Sequence, residues 1–308
     1  MNGQRFFVAV CVLVCCSGMV HAQVGKVFWS GGDLGAAYIR TADLDGSNAQ
    51  TIVTGLESAL GIEIDPVNQH VYWVGGNDAT SHIKRADWDG TNIIDILQPT
   101  FTPTGISLDL ANSRMYWTEW NGPNSALRSA DLDGSNLQTL STGNIFWAVE
   151  VDPVGGKVYW SNFDTLWRAD VDGTNQQIVY SDANANINGV SIDPVANQVY
   201  WTNAFSPNAI LRADLDGGNV QTLPVPAQDT PLGIDAYYVK SHSQAWWVAK
   251  GVGNNAGWLA HADQQGNAYA ALLPGEHKPS DIAVWIVPAP GTLGLMALGF
   301  VLVSRRRG

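Results

Sequence analysis

The sequence is poor in cysteine. Only Cys11, Cys15 and Cys16 occur in 308 residues, all near the N-terminus. They lie in a stretch with the order of a secretory leader: Arg5, an apolar run from Phe6 to Cys16, then Val20-His21-Ala22 ahead of Gln23. Residues 1–22 therefore read as a signal peptide, and the remaining chain holds no thiol. For that chain disulfides, zinc–thiolate sites and a cysteine nucleophile are excluded. The rival reading, a lipid-modified leader ending at Cys16, meets Cys15 where such signals carry a small Gly or Ala.

Charge is scarce as well, at 14% of residues against the ~25% of an average globular protein. The six histidines are scattered, which speaks against a histidine-built metal centre and any metal cofactor. The balance is acidic, with a net charge of −12. Loss of both ends would take Arg5, Arg305, Arg306 and Arg307 and no acid, so the mature surface is more acidic still. Such a surface repels phosphate backbones, and nucleic acid is excluded as a partner.

What the chain has in plenty is glycine, 32 residues, and tryptophan, 13. The tryptophans fall into a repeat. Aromatic pairs stand at Phe28-Trp29, Tyr72-Trp73, Tyr116-Trp117, Tyr159-Trp160, Tyr200-Trp201 and Trp246-Trp247, about 44 residues apart, the period of a propeller blade. Each pair but the last is followed by Ala-Asp-x-Asp-Gly, as at Ala42 to Gly46 and Ala130 to Gly134, decaying to Ala262-Asp263-Gln264-Gln265-Gly266. Ahead of most pairs runs an alternating apolar segment ending in Asp-Pro, as at Gly61 to Pro66, Asp152-Pro153 and Asp193-Pro194, with Asp109-Leu110 as a variant.

Each repeat thus holds four short strands separated by Asp-Pro and Asp-Gly turns. One such sheet has two apolar faces, so the units must stack around an axis. The expected fold is all-β: a six-bladed β-propeller over residues 23–287 with four-stranded antiparallel blades. The first repeat opens at Lys26-Val27-Phe28-Trp29 without its Gly-Ile-x-Ile strand, and Ser280-Asp281-Ile282-Ala283-Val284 follows the sixth. That C-terminal strand is expected to close the ring by joining the first blade, which removes two sheet edges.

The order of apolar strand with Asp-Pro, aromatic pair, Ile-x-Arg-Ala and Leu132-Asp133-Gly134-Ser135-Asn136 resembles the Tyr-Trp-Thr-Asp repeats of the low-density-lipoprotein-receptor class B family, over residues 26–286. The resemblance implies a six-bladed propeller. In place of the family's final Asp stand Gly31, Gly75, Glu119, Asn162, Asn203 and Ala249, so its ligand chemistry does not carry over. At the C-terminus, Val287-Pro288-Ala289-Pro290-Gly291, an apolar run from Thr292 to Val303 and Arg305-Arg306-Arg307 resemble the PEP-CTERM sorting tail of Gram-negative bacteria, with Ala289 for its Glu. Residues 288–308 would then hold a precursor transiently at the membrane for an exosortase. The run is shorter than the ~20 residues of a comfortable span, and a plain weak anchor is the other reading.

Three features invite site readings. The Asp-x-Asp-Gly-x-Asn turns offer oxygens for calcium, but their repetition and the missing bidentate Glu favour a plain β-turn. Arg85, Arg168 and Arg212 share a slot with Thr41, Ser129 and His261, and are expected to make surface or inter-blade ion pairs with turn carboxylates. Ligand contacts are expected on the loops that vary between repeats, at Phe101, Glu119, Trp120, Phe146, Trp147, Phe163, Asp164 and Phe205. The competing reading of those aromatics is that they plug the channel.

No catalytic motif is present, and the function expected is non-enzymatic: an exported binding or scaffolding module of the cell envelope or extracellular matrix, with a protein or polysaccharide ligand. A metal-dependent propeller hydrolase or lactonase is the alternative, with Glu63, Glu150 and Asp235 near the channel. A purely architectural surface protein is the third.

Overall fold

The computed structural model describes residues 25–204, 208–223, 230–239, 242–250, 256–263 and 270–286. The proposed leader and sorting tail lie outside these, as does Phe205. The described residues form six four-stranded antiparallel sheets and no α-helix. In order from inner to outer strand, blade 1 is Pro279–Ile286, Gly25–Gly31, Ala37–Asp43 and Gln50–Leu56, and blade 2 is Gly61–Asp65, His70–Gly75, His82–Asp87 and Ile94–Leu97. Blade 3 is Thr102–Asp109, Arg114–Trp120, Ser125–Asp131 and Gln138–Gly143; blade 4 is Val149–Asp152, Lys157–Asn162, Thr165–Asp170 and Gln177–Ser181. Blade 5 is Ile187–Asp193, Gln198–Asn203, Ala209–Asp214 and Gln221–Leu223; blade 6 is Thr230–Val239, His242–Lys250, Ala256–Asp263 and Ala270–His277.

The expected closure is observed. Ile282 pairs with Trp29 and Val284 with Val27, so the last strand of the chain is the inner strand of the first blade. Each inner strand touches its two neighbours around the axis, in ring order.

The aromatic pair explains why the ring holds. Neighbouring residues of a strand point to opposite faces, so the pair covers both sides of its blade. Tyr116 packs in the interface with blade 4 and Trp117 in the interface with blade 2. Tyr159 and Trp160 divide in the same way toward blades 5 and 3. The core is accordingly six clusters, one between each adjacent pair of blades. All six second-position tryptophans, Trp29, Trp73, Trp117, Trp160, Trp201 and Trp247, are almost completely buried. Truncating one to Ala would cost about 3–5 kcal/mol by the usual scale for buried aromatics.

The Asp-x-Asp-Gly-x-Asn segments are turns that use up their own carboxylates. In blade 3 Asn136 donates to Asp131 Oδ2 at 2.6 Å, and Ser135 donates to Asp133 Oδ1 from both its backbone N–H, at 2.9 Å, and its hydroxyl, at 2.5 Å. Asn136 has φ of 54° and Gly134 of 86°, the left-handed conformations that Asn and Gly tolerate. Gly134 is needed for a second reason: a Cβ there would lie 2.6 Å from the carbonyl of Ile96 in the outer strand of blade 2. The turn of each of blades 2 to 5 is thereby wedged under the preceding blade.

The cations facing these turns differ from expectation. Lys26, Arg114 and Lys157, one strand inward, make the ion pairs, with Asp43 at 3.0 Å, Asp131 at 2.9 Å and Asp170 respectively. Strand register places each pair directly opposite. Arg168, expected to face a carboxylate, instead donates from Nη1 to the main-chain carbonyl of Leu215 in blade 5 at 2.7 Å.

Two outcomes follow from the turns. Gly35 has φ of 78° with open space around its missing Cβ, whereas Gly134 has both the conformation and the close approach. Gly35→Ala should cost about 1–2 kcal/mol for the left-handed conformation, and Gly134→Ala at least about 1 kcal/mol more for the overpacking, read from urea midpoints. The second concerns acid. The Ser135 hydroxyl and N–H hold Asp133 below the usual carboxylate range, Thr91 does so for Asp89 and Thr174 for Asp172; Asn48 and Lys26 lower Asp43. Because these folded values are depressed, their stabilisation is fully present above the ordinary carboxylate pKa and is lost as pH falls through the folded values. The thermal midpoint should be flat above about pH 5 and fall below about pH 4; a midpoint unchanged at pH 3 would contradict this assignment.

Candidate functional site

Inner strands run from the variable loops to the Asp-Pro turns, so their first residues gather at one mouth of the channel. Register makes Gly61, Gly105, Ala148, Gly189, Gly233 and Asp281 equivalent. Neighbouring strands come into contact at this collar: a Cβ on Gly61 would lie 2.9 Å from Gly105 Cα, and one on Gly105 3.0 Å from the carbonyl of Trp147. Small residues are required there because six strands converge on one axis. The single large exception, Asp281, accepts the backbone N–H of Ile62 in blade 2 at 3.0 Å, tying the closing strand to its neighbour.

Around the collar lies a cavity of about 150 Å³, lined by inner-strand residues of all six blades. Leu60, Thr104, Trp147, Asn188, Leu232 and Ser280 form its ring at the variable rim, and Glu63, Glu150 and Asp281 are its carboxylates. Glu63 Oε1 accepts the N–H of Ile64 at 2.8 Å. Among the described residues no three acidic, histidine or cysteine side chains are close enough together to hold a metal. Asp235 lies in the inner strand of blade 6, but its side chain is outside the described set.

A hydroxyl relay positions the mouth. In blade 3 Thr118, the residue after the aromatic pair, accepts the N–H of Gly105 at 3.1 Å and donates to the carbonyl of Trp147 at 2.6 Å. Ser161 repeats this toward Ala148 at 3.1 Å and Ile187 at 3.2 Å, and Thr202 toward Gly189 at 2.8 Å and Leu232. Each hydroxyl holds the start of its own inner strand and that of the next blade. These hydroxyls are not among the expected site residues; their signal in the sequence is the recurrence of Ser or Thr at Ser30, Thr118, Ser161 and Thr202.

The candidate binding residues divide. Trp120 and Phe163 are 46% and 40% exposed on the variable rim. Trp147 is half-buried at the channel mouth. Thr102 pairs with Trp120, which brings half-buried Phe101 to the same edge. Backbone bonds join these loops: Ile145 donates to Gly122 at 2.9 Å, Trp147 to Ser161 at 3.0 Å and Ile187 to Phe163 at 2.7 Å. The result is one arc of rim from blade 3 to blade 5. Asp164 is half-buried there, its carboxylate accepting the Thr165 hydroxyl at 2.9 Å.

Glu119 and Phe146 are placed elsewhere. Glu119 is 1% exposed, accepts the indole N–H of Trp117 at 2.9 Å and forms an ion pair with Arg128 at 3.0 Å. Phe146 is buried edge-on against Trp160, with ring centres 6.1 Å apart. Glu119 occupies the slot of the missing motif Asp. The matching slots in blades 2, 4 and 5 hold Gly75, Asn162 and Asn203, and there the indole N–H groups of Trp73, Trp160 and Trp201 have no partner among the described residues. In blade 1 the corresponding carboxylate comes from blade 6, where Glu276 accepts from Trp29 at 3.0 Å and pairs with Arg40 at 2.6 Å. Elsewhere burial dominates, pushing the Tyr200 phenol up to about 12.

No protein-family model and no curated protein matches the sequence. Solved structures do match in shape. A nidogen/laminin complex contains a chain with a TM-score of 0.71 at 18% identity, over 86% of this chain and 100% of that one. TolB from Acinetobacter baumannii gives 0.66 at 15% identity, over 84% of this chain and 66% of that one. A gluconolactonase from Xanthomonas campestris gives 0.59 at 15% identity, over 75% of this chain and 83% of that one. At these identities the likeness is one of fold: the chain is a six-bladed β-propeller of an architecture shared by proteins of different function.

Proposed function

We propose that the chain is an exported, non-catalytic propeller of the low-density-lipoprotein-receptor class B kind, working as a binding or scaffolding module of the cell envelope or extracellular matrix. Its ligand site is the arc of variable rim from blade 3 to blade 5, and its ligand a protein or polysaccharide. The observation that carries this is the exposure of Trp120 and Phe163 beside half-buried Trp147 on loops joined by backbone hydrogen bonds. Rigid aromatic surface on a fixed scaffold gives contact area with little ordering cost. A nidogen of like shape in a laminin complex is a precedent for protein binding by this fold. Export and sorting rest on residues 1–22 and 288–308 as read from the sequence.

A second reading, a metal-dependent hydrolase or lactonase, has one observation in its favour: Glu63 and Glu150 line the same channel mouth, in a fold shared with a gluconolactonase. The two part on metal. A divalent ion in purified protein, with lactone hydrolysis lost on chelation, supports the enzyme and ends the binding reading.

A glycan and peptide array probed with the purified chain identifies the ligand class. Trp147→Ala and Trp120→Ala should each weaken the best hit about tenfold or more, as hot-spot aromatics do, with urea midpoints showing that the blades remain intact. Unchanged affinity in both variants refutes the rim as the site, and no saturable ligand at all favours the architectural role.

A further inference from the structure

On the opposite rim, arginines of blades 4 and 5 occupy the grooves toward the next blade, and blade 1 has no cation in that slot. Register sets Tyr159, Arg168 and Gln177 side by side across blade 4, and Tyr200, Arg212 and Gln221 across blade 5. In blade 4 the guanidinium bridges outward and forward: Nε and Nη2 donate to Gln177 Oε1 at 3.2 and 2.9 Å, and Nη1 to the Leu215 carbonyl at 2.7 Å. The Tyr159 hydroxyl donates to that same carbonyl at 3.1 Å. Arg212 holds Gln221 in the same way, at 3.1 and 2.7 Å. Blade 3 has Ser129 in the slot, and the guanidinium of Arg114 comes onto its hydroxyl at 2.8 Å.

In blade 1 the row is Phe28, Thr41 and Gln50. Both the phenol hydroxyl and the guanidinium are missing, and the residue in the place of Leu215 is Trp88. What is left is a groove of about 610 Å³ between blades 1 and 2. Thr41 lines it, is 2% exposed, and its hydroxyl has no hydrogen-bond partner among the described residues. Gln50, whose counterparts Gln177 and Gln221 are claimed by arginines, shows no side-chain bond among the described residues. Trp285, from the closing strand, stands where blades 2 to 5 carry the Asp that ends their inner strand. Its ring centre is 5.2 Å from that of Trp88, at 57°. The Trp88 indole N–H already donates to the His70 carbonyl at 3.0 Å, so it offers the groove its ring alone. Asp87, whose Oδ2 accepts from Asn92 at 2.6 Å and whose Oδ1 lies 3.5 Å from His70 Nε2, and Asp89, which accepts from Thr91, keep their negative charge at the edge of the groove, while the one ammonium lining it, that of Lys26, is committed to Asp43 at 3.0 Å.

We propose that this groove receives an arginine side chain of a partner protein, which takes the place that Arg168 has in its own groove. Gln50 Oε1 and Asp87 accept its N–H groups, and an indole face of Trp88 or Trp285 lies against its plane. A pyranose also stacks on paired tryptophans. The guanidinium is favoured by the acidic edge and by the arginines that the molecule itself places in the equivalent grooves. The site is on the rim away from Trp120 and Trp147 and does not depend on their role.

The test uses the full chain and a synthetic acetyl-Gly-Arg-Gly-amide, followed by calorimetry and by the indole 1H–15N signals. Saturable binding is expected, at least about tenfold weaker when citrulline, neutral but of the same shape, replaces arginine. Thr41→Arg should abolish binding by filling the groove from within, Gln50→Ala should weaken it severalfold with the fold intact, and Trp120→Ala should leave it unchanged. Equal binding of the arginine and citrulline peptides, wild-type affinity in Thr41→Arg and Gln50→Ala, no saturable binding, or an oligosaccharide that occupies the groove in preference to the peptide would each overturn the proposal.

Discussion

Everything in this molecule depends on covering two faces. A strand sends alternate side chains to opposite sides, and here both sides are apolar, so a blade standing alone would leave both members of its aromatic pair in water, and a blade with a single neighbour one of them. Burying both members requires a neighbour on each side, and only a ring supplies that to all six blades. The inner strand given to blade 1 from the far end of the chain is therefore a condition of stability: without Pro279–Ile286, Gly25–Gly31 would be a bare edge facing the channel. Closure also sets the site, because six converging strands leave space at the collar for hydrogens and little else at Gly61, Gly105 and Gly189.

That constraint explains what could be read from the amino acids. The aromatic pairs and Asp-Gly turns are repeated because the geometry is repeated, so their period yields blade number and strand order, and the absence of an inner strand before Lys26 points to Ser280 to Val284 as its replacement. The site was legible only in part. Trp120, Trp147 and Phe163 could be assigned to the rim by loop position. Glu119 was misplaced because it neighbours Trp120, although alternation already put it on the face of buried Trp117. Partner choice was harder to see: Arg168 prefers the Leu215 carbonyl because the turn carboxylate Asp170 is already met by Lys157 from the strand directly opposite.

A repeat protein carries its own controls, since each slot is filled six times under nearly one geometry. Departures from the common filling then mean more than any single residue does. The slot after the aromatic pair is a hydroxyl in four blades and Val74 or Val248 in the others, so the relay that ties inner strands together is interrupted between blades 2 and 3 and between blades 6 and 1. The Tyr–Arg–Gln row is complete in blades 4 and 5 and loses its first two members together in blade 1, at whose groove Trp88 of blade 2 and Trp285 also depart from the fillings of blades 3 to 5. Drift at four positions of one groove, while the buried tryptophans around it stay in place, separates a change of surface from decay of the fold.

A closed ring of this kind is rigid at its mouth. Thr118 fixes the carbonyl of Trp147 to blade 3, and the collar leaves its strand no room to shift. A ligand of the proposed rim site would therefore meet a surface already in its bound form, and little of the contact energy would be lost in ordering the protein. The cost of that rigidity is adaptability. A module of this kind would select ligands by fixed shape and by the few side chains that stand clear of the blades, so the proposed specificity would be concentrated where repeats diverge, as at Trp120 on one rim and Thr41 on the other.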